Sequence, residues 1–107
     1  GRNAQAAPTP SGKTAVGLAA PKMGKVRWAF IGVGARGSSH LATVLTLDNA
    51  EVVAVCDNHP PTLKRAADRV KARTGKDVPA FGADGDGDAW KKMLERQDID
   101  AVLISTP

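Results

Sequence analysis

The sequence predicts an α/β chain built on a doubly wound parallel sheet, with only the first four strands of that sheet inside its 107 residues. Three observations lead there. Short apolar runs alternate with segments of helical period, each run is short enough for a strand covered on both faces, and the first ends on a pair of glycines that opens a helix.

The first run is Val26-Arg27-Trp28-Ala29-Phe30-Ile31, which stops at Gly32 and Gly34. A helix is expected from about Arg36 to Leu47, because Leu41, Val44 and Leu45 fall on one face. Glu51 to Cys56 supplies a second apolar strand, Val52-Val53-Ala54-Val55, closed by Asp57. The next helix begins near Pro61, a residue suited to a first helical turn, and places Leu63, Ala66, Ala67 and Val70 at i, i+3, i+4 and i+7. Its Lys64, Arg65, Arg69, Lys71 and Arg73 read as a solvated face. Val78 to Phe81 gives a short third strand, and the loop Gly82 to Gly87 leads to Asp88 as the expected N-cap of a helix with Trp90, Met93 and Leu94 on its core face. Asp100 to Ser105 is the fourth strand. Right-handed crossovers and the doubly wound pattern then predict the strand order 3-2-1-4, with the first and fourth strands flanking the point where a ligand binds.

Residues 1–24, rich in Ala, Pro, Gly, Ser and Thr and interrupted by Pro8, Pro10 and Pro21, show neither period and are read as a flexible arm with no secondary structure. Residues 25–107 form the partial domain. The arm also explains the net charge of +4, because Arg2, Lys13, Lys22 and Lys25 meet no acid before residue 26. Taking those four from the 15 basic side chains leaves 11, matched by 11 acidic ones, so the folded part is neutral. A basic tail without interleaved aromatics argues against nucleic-acid binding, and no stretch reaches the roughly 20 apolar residues of a membrane span. The start at Gly1, with no initiator Met and no apolar signal core, fits an exported protein after signal removal or a recombinant start.

The chemistry centres on Gly32-Val33-Gly34-Ala35-Arg36-Gly37, a G-x-G-x-x-G run that follows a buried strand, opens a helix and precedes a second strand ending in Asp57. That acid lies about 20 residues beyond Gly37, the spacing of the dinucleotide-binding fingerprint. Gly32 permits the tight turn, Gly34 lets the backbone approach a pyrophosphate, and Gly37 lets the helix pack close to the strand. The N-terminus of the helix offers unpaired N–H groups to phosphate, with Ala35 and Arg36 in that first turn. Asp57 is placed to accept hydrogen bonds from the adenosine ribose, and its charge repels the extra phosphate of NADP, so NAD is the expected cofactor. His40 is a candidate for the cleft or for helix packing.

Other motifs are weighed and set aside. Ser11-Gly12-Lys13-Thr14 lacks the first glycine and the preceding strand of a P-loop. Asp84, Asp86, Asp88 and Glu95 share calcium-loop spacing, but Ala89 stands where the sharp turn needs Gly, and no metal site is assigned. Cys56, the single cysteine, reads as a small buried hydrophobe, and its nearness to His59 is not a catalytic geometry.

Together, Phe30-Ile31-Gly32-Val33-Gly34-Ala35-Arg36-Gly37 with His40, Val53-Ala54-Val55-Cys56-Asp57, and Ile99-Asp100-Ala101-Val102-Leu103-Ile104-Ser105-Thr106-Pro107 resemble the N-terminal NAD-binding domain of the Gfo/Idh/MocA oxidoreductases over residues 26–107. Within the family, Gly34-Ala35-Arg36-Gly37 with His40, Phe81-Gly82 and Trp90-Lys91-Lys92-Met93-Leu94 look most like the NAD-dependent glycosidase branch typified by α-N-acetylgalactosaminidase. The resemblance implies a sugar substrate, hydride transfer to and from a bound NAD, and in that branch oxidation at the sugar C3, elimination, re-addition and reduction. It also implies that Thr106 and Pro107 approach the nicotinamide ribose, completing the cofactor set Gly32, Gly34, Ala35, Arg36, Gly37 and Asp57. The family's catalytic Lys and His and its substrate domain are expected after Pro107, so no catalytic residue is assigned, and a homo-oligomer is left open. The contrasting hypothesis is a non-catalytic nucleotide-binding or regulatory module. With the edge of its fourth strand uncovered, the segment alone is expected to fold poorly and to be inactive.

Overall fold

The computed structural model describes residues 14–18 and 24–105. Its elements in chain order are β1 (Thr14–Leu18), β2 (Val26–Ile31), α1 (Ala35–Val44), β3 (Ala50–Cys56), α2 (Pro60–Thr74), β4 (Ala80–Phe81), α3 (Ala89–Met93) and β5 (Ala101–Ser105). They form one sheet in the order β1-β5-β2-β3-β4. The four strands expected from sequence are mutually parallel and lie in the expected order, since β4, β3, β2 and β5 are the third, second, first and fourth of them.

β1 corrects the reading of residues 1–24 as an arm without secondary structure. Thr14–Leu18 pairs antiparallel along all of β5, from Thr14 opposite Ser105 to Leu18 opposite Ala101. A strand containing Ala15 and Gly17 carries little local signal; it forms because β5 offers a free row of N–H and C=O groups. The edge of β5 expected to be bare is therefore covered.

The registers fix where the loops meet. Ile31 stands beside Cys56 on one side and Ile104 on the other, so the C-terminal ends of β2, β3 and β5 converge. At the opposite end, the Asp100 carboxylate takes the Arg27 Nε and Nη2 donors at 2.9 and 3.0 Å and the Arg27 backbone N–H at 3.0 Å. The Asp100 N–H donates back to the Arg27 carbonyl at 2.8 Å. This charged pair, between residues at the entries of adjacent strands, locks β5 on β2.

Helix boundaries follow local chemistry. α1 ends at Val44, short of the expected Leu47, because Thr46 and Leu47 donate instead to Thr43 and Val44 in a tightened last turn. α2 begins with Pro60 and Pro61 and stops at Gly75, whose φ of +78° lets its N–H return to the Lys71 carbonyl. Asp88 precedes α3 as expected but makes no side-chain cap bond; its carboxylate instead lies 3.6 Å from Lys91 Nζ.

The main core joins α1 and α2 to one face of the sheet through Phe30, Val55, Leu103, Leu41, Leu63 and Val70. On the other face Met93 of α3 covers Ala29, Ala54 and Cys56. Trp90 and Leu94, expected in that core, are instead exposed.

Candidate functional site

Where β2 ends, Gly32 takes φ +86°, a conformation open to glycine at little cost, and its N–H donates to the Cys56 carbonyl at 2.9 Å. The chain reverses and enters α1 at Ala35. No side chain caps this helix and no acid lies in its first turn, so the positive end of its dipole is uncompensated. Gly37 is fixed by packing. A Cβ there would overlap the Gly32 carbonyl oxygen and lie 3.5 Å from the Ser105 Cβ. Gly34 differs, because a Cβ on it would meet nothing within 4 Å. Protein packing gives no reason for glycine at that position; close approach of something else to the backbone would.

Asp57, just past β3, is turned back toward that glycine loop. Its Oδ2 accepts the Val33 N–H at 2.9 Å and its Oδ1 accepts the His59 N–H at 2.9 Å. One carboxylate therefore couples the end of β3 to the turn after β2, with acceptor capacity left on both oxygens. The backbone behind it is crowded. Gly82, at φ +108°, has no room for a Cβ against the Asp57 carbonyl, which lets the loop after β4 lie across Asp57 and Asn58.

Six residues expected to hold cofactor, Gly32, Gly34, Ala35, Arg36, Gly37 and Asp57, line a single cleft of about 980 Å³. Thr106 and Pro107 lie outside the described residues. His40 is half-buried on α1 and is not part of the lining. Asp84 and Asp86 accept the N–H groups of Asp86 and Asp88 at 3.1 and 2.9 Å, shaping the loop before α3. Burial, helped by the charges of Asp57 and Asp86, pushes the Cys56 thiol up to about 11, so it stays protonated and unreactive at neutral pH. His59 pairs with Thr62, Nδ1 to Oγ1 at 2.7 Å.

Sequence reasoning missed part of this lining. Trp90, Leu94 and Ile104 border the same cleft, and they are three of the four large apolar side chains that stand exposed among the described residues. Helical period found Trp90 and Leu94 but not what they face. Ser105 was missed too; its hydroxyl is buried without a hydrogen-bond partner beside α1.

Comparison with known proteins agrees with this geometry. Residues 26–107 match the family model described as oxidoreductase family, NAD-binding Rossmann fold. A glycosyl hydrolase family 109 protein of Akkermansia muciniphila is 46% identical over 102 residues, covering 94% of this chain and 21% of its own length. An α-N-acetylgalactosaminidase of Shewanella oneidensis is 45% identical over 103 residues, covering 94% of this chain and 22% of its own. The chain thus spans about a fifth of the length of these relatives. Among solved structures, a myo-inositol dehydrogenase of Corynebacterium glutamicum shares the fold at TM-score 0.60 and 23% identity, over 78% of this chain and 21% of that one. A WlbA dehydrogenase of Bordetella pertussis, in complex with NADH and UDP-GlcNAcA, aligns at TM-score 0.55 and 27% identity, over 78% and 22%. Among the described residues no helix is long and apolar enough to cross a membrane.

Proposed function

The chain belongs to the Gfo/Idh/MocA oxidoreductase family with its NAD-binding Rossmann fold, and from that premise we propose that it holds NAD for a sugar-active enzyme working as a redox-assisted glycosidase. The observation that carries the cofactor reading is one cleft that brings together an uncapped helix N-terminus, an unobstructed Gly34 and the Asp57 carboxylate. These residues fit a dinucleotide. The first-turn N–H groups of α1 and the exposed Arg36 guanidinium bind the pyrophosphate. Asp57 accepts from the adenosine ribose hydroxyls, and its charge excludes a phosphate on that ribose. When bound, NAD supplies a reversible hydride acceptor. By the family resemblance, Thr106 and Pro107 contribute to the nicotinamide half of the site. The glycosidase reading draws on the 46% and 45% identity to the glycosyl hydrolase family 109 protein and the α-N-acetylgalactosaminidase, of whose length this chain spans about a fifth.

The test is titration of NAD and NADP into the full-length protein. NAD is expected to bind tighter, and Asp57→Ala to weaken it tenfold or more, since hydrogen bonds to a charged group contribute about 1.5–3 kcal/mol. A preference for NADP would overturn the role of Asp57. Aryl α-glycoside cleavage without net NADH release is the expected activity; net NADH release without cleavage assigns a dehydrogenase, and binding with neither assigns a non-catalytic module.

A further inference from the structure

The lysines and the arginines of α2 sit in different surroundings. Asp68, the only acid in this helix, is taken by Lys64 at 2.9 Å, and Asp77 just beyond it by Lys71 at 3.4 Å. Arg65, Arg69 and Arg73 stand at i, i+4 and i+8, all exposed and none of them ion-paired among the described residues. Arg65 reaches only the Thr62 hydroxyl, at 3.4 Å. The repeat stacks the three side chains along one flank of the helix, about 6 Å per step. Like charges at that spacing weaken a helix, and of the three only Arg73, in the last turn, gains from the helix dipole. The fold gives no reason for Arg65 and Arg69. A row of unpaired guanidinium forks at constant spacing suits a ligand that repeats an oxyanion.

We propose that Arg65, Arg69 and Arg73 form a binding stripe for an acidic glycan, a sugar chain carrying sulfate or carboxylate groups. The choice of a glycan rests on the sugar-active reading above, whereas the anion chemistry rests on α2 alone. Three observations favour it over other polyanionic partners. Leu63, Ala66 and Val70 of α2 are buried in the core and no large apolar side chain stands exposed on this helix, so it has nothing to insert into a lipid surface. α2 holds no aromatic residue on which a nucleic-acid base could stack. The 11 basic and 11 acidic side chains of residues 26–107 leave no general field to draw in a polyanion as dense as duplex DNA. A sugar chain of lower charge density needs only a short local row. Each guanidinium binds sulfate or carboxylate through two parallel N–H donors, a geometry that lysine cannot reproduce. Thr62, which Arg65 touches, lines the cleft, so the stripe begins at the cleft rim.

The proposal is tested by calorimetric titration of the full-length protein with chondroitin sulfate, hyaluronan and neutral dextran, and with polyglutamate and a short DNA duplex as competing anions. Chondroitin sulfate is expected to bind and neutral dextran not to; hyaluronan, which carries carboxylates alone, shows whether sulfate is required. Arg69→Gln should weaken binding about threefold, and the triple Arg65→Gln, Arg69→Gln, Arg73→Gln variant about thirtyfold, as for three exposed ion pairs of ordinary strength. Arg69→Lys keeps the charge but not the fork and should recover only part of the affinity. The Lys64→Gln, Lys71→Gln variant removes charge from the same helix and should change binding by less than about twofold. Because these arginines hold no acid in the fold, Arg69→Gln should not lower the thermal midpoint or the affinity for NAD. Equal losses in the arginine and lysine variants overturn the stripe, as do tighter binding of DNA or polyglutamate than of either acidic glycan, and binding of none of the five. If acidic glycans bind through these arginines but no glycoside is cleaved, the glycosidase reading falls and the stripe stands.

Discussion

The face of the sheet beneath α1 and α2 and the face beneath α3 are built from the same strands but to different depths. Along β2 and β3 the side chains alternate, so Phe30 and Val55 enter the first face while Ala29, Ala54 and Cys56 enter the second. The 10-residue α1 and 15-residue α2 cover the large side chains and leave a closed core. The second face has a five-residue helix over two alanines and a cysteine, with Met93 as its one fully buried large side chain among the described residues. Depth on one side supports the fold, and shallowness on the other leaves Trp90, Leu94 and Ile104 for the cleft.

That contrast can be broken by mutation. Phe30→Ala, in the closed core with Phe30 fully buried, is expected to cost about 3–5 kcal/mol in urea unfolding of the full-length protein. Asp100→Ala acts below both faces. It strands Arg27 and frees the entry of β5, and should cost about 2–3 kcal/mol, less than for a fully buried pair because Arg27 is 28% exposed. Met93→Ala should cost about 2 kcal/mol, the low end for a buried Met, because its exposed neighbours can relax into the space. If Met93→Ala proved as costly as Phe30→Ala, the second face would be a core in its own right and the comparison would fail.

The same contrast decides what was legible in sequence. The glycine turn, Asp57 and the parallel strand order were readable because each is set by local backbone demands: a positive φ at Gly32, a close approach at Gly37, an acid at a strand end. Side-chain surroundings were not. The period that placed Met93, Trp90 and Leu94 on a helix says they share an apolar side, and only tertiary structure says that Met93 is covered while the other two are not. β1 was unreadable for a related reason, since Thr14–Leu18 is a strand by virtue of a partner some 90 residues away. The Arg27–Asp100 pair did leave a signal. Opposite charges stand at the entries of two otherwise apolar runs, and the expected strand order makes those runs neighbours.

The smallest effect concerns how the thin face is fastened. The segment returning from α3 to β5 carries Arg96, whose Nε and Nη2 donate to the Asp98 carboxylate at 2.9 and 2.6 Å. The hydrogen bond from Arg96 holds the Asp98 carboxyl below its ordinary value. A depressed carboxylate contributes stability above the unfolded pKa of about 3.9 and loses that contribution as pH falls through the folded value. Both side chains are about a third exposed, so water and salt screen the pair and its worth is about a few tenths of a kcal/mol. Asp98→Asn should therefore lower stability slightly at pH 7, with the gap to the parent narrowing in high salt and closing in acid below the ordinary aspartate range. Thermal melts of both proteins across that range would show it. A gap that persisted in acid would mean that Asp98 holds the loop through something other than its charge, and that the thin face is packed more firmly than Trp90 and Leu94 suggest.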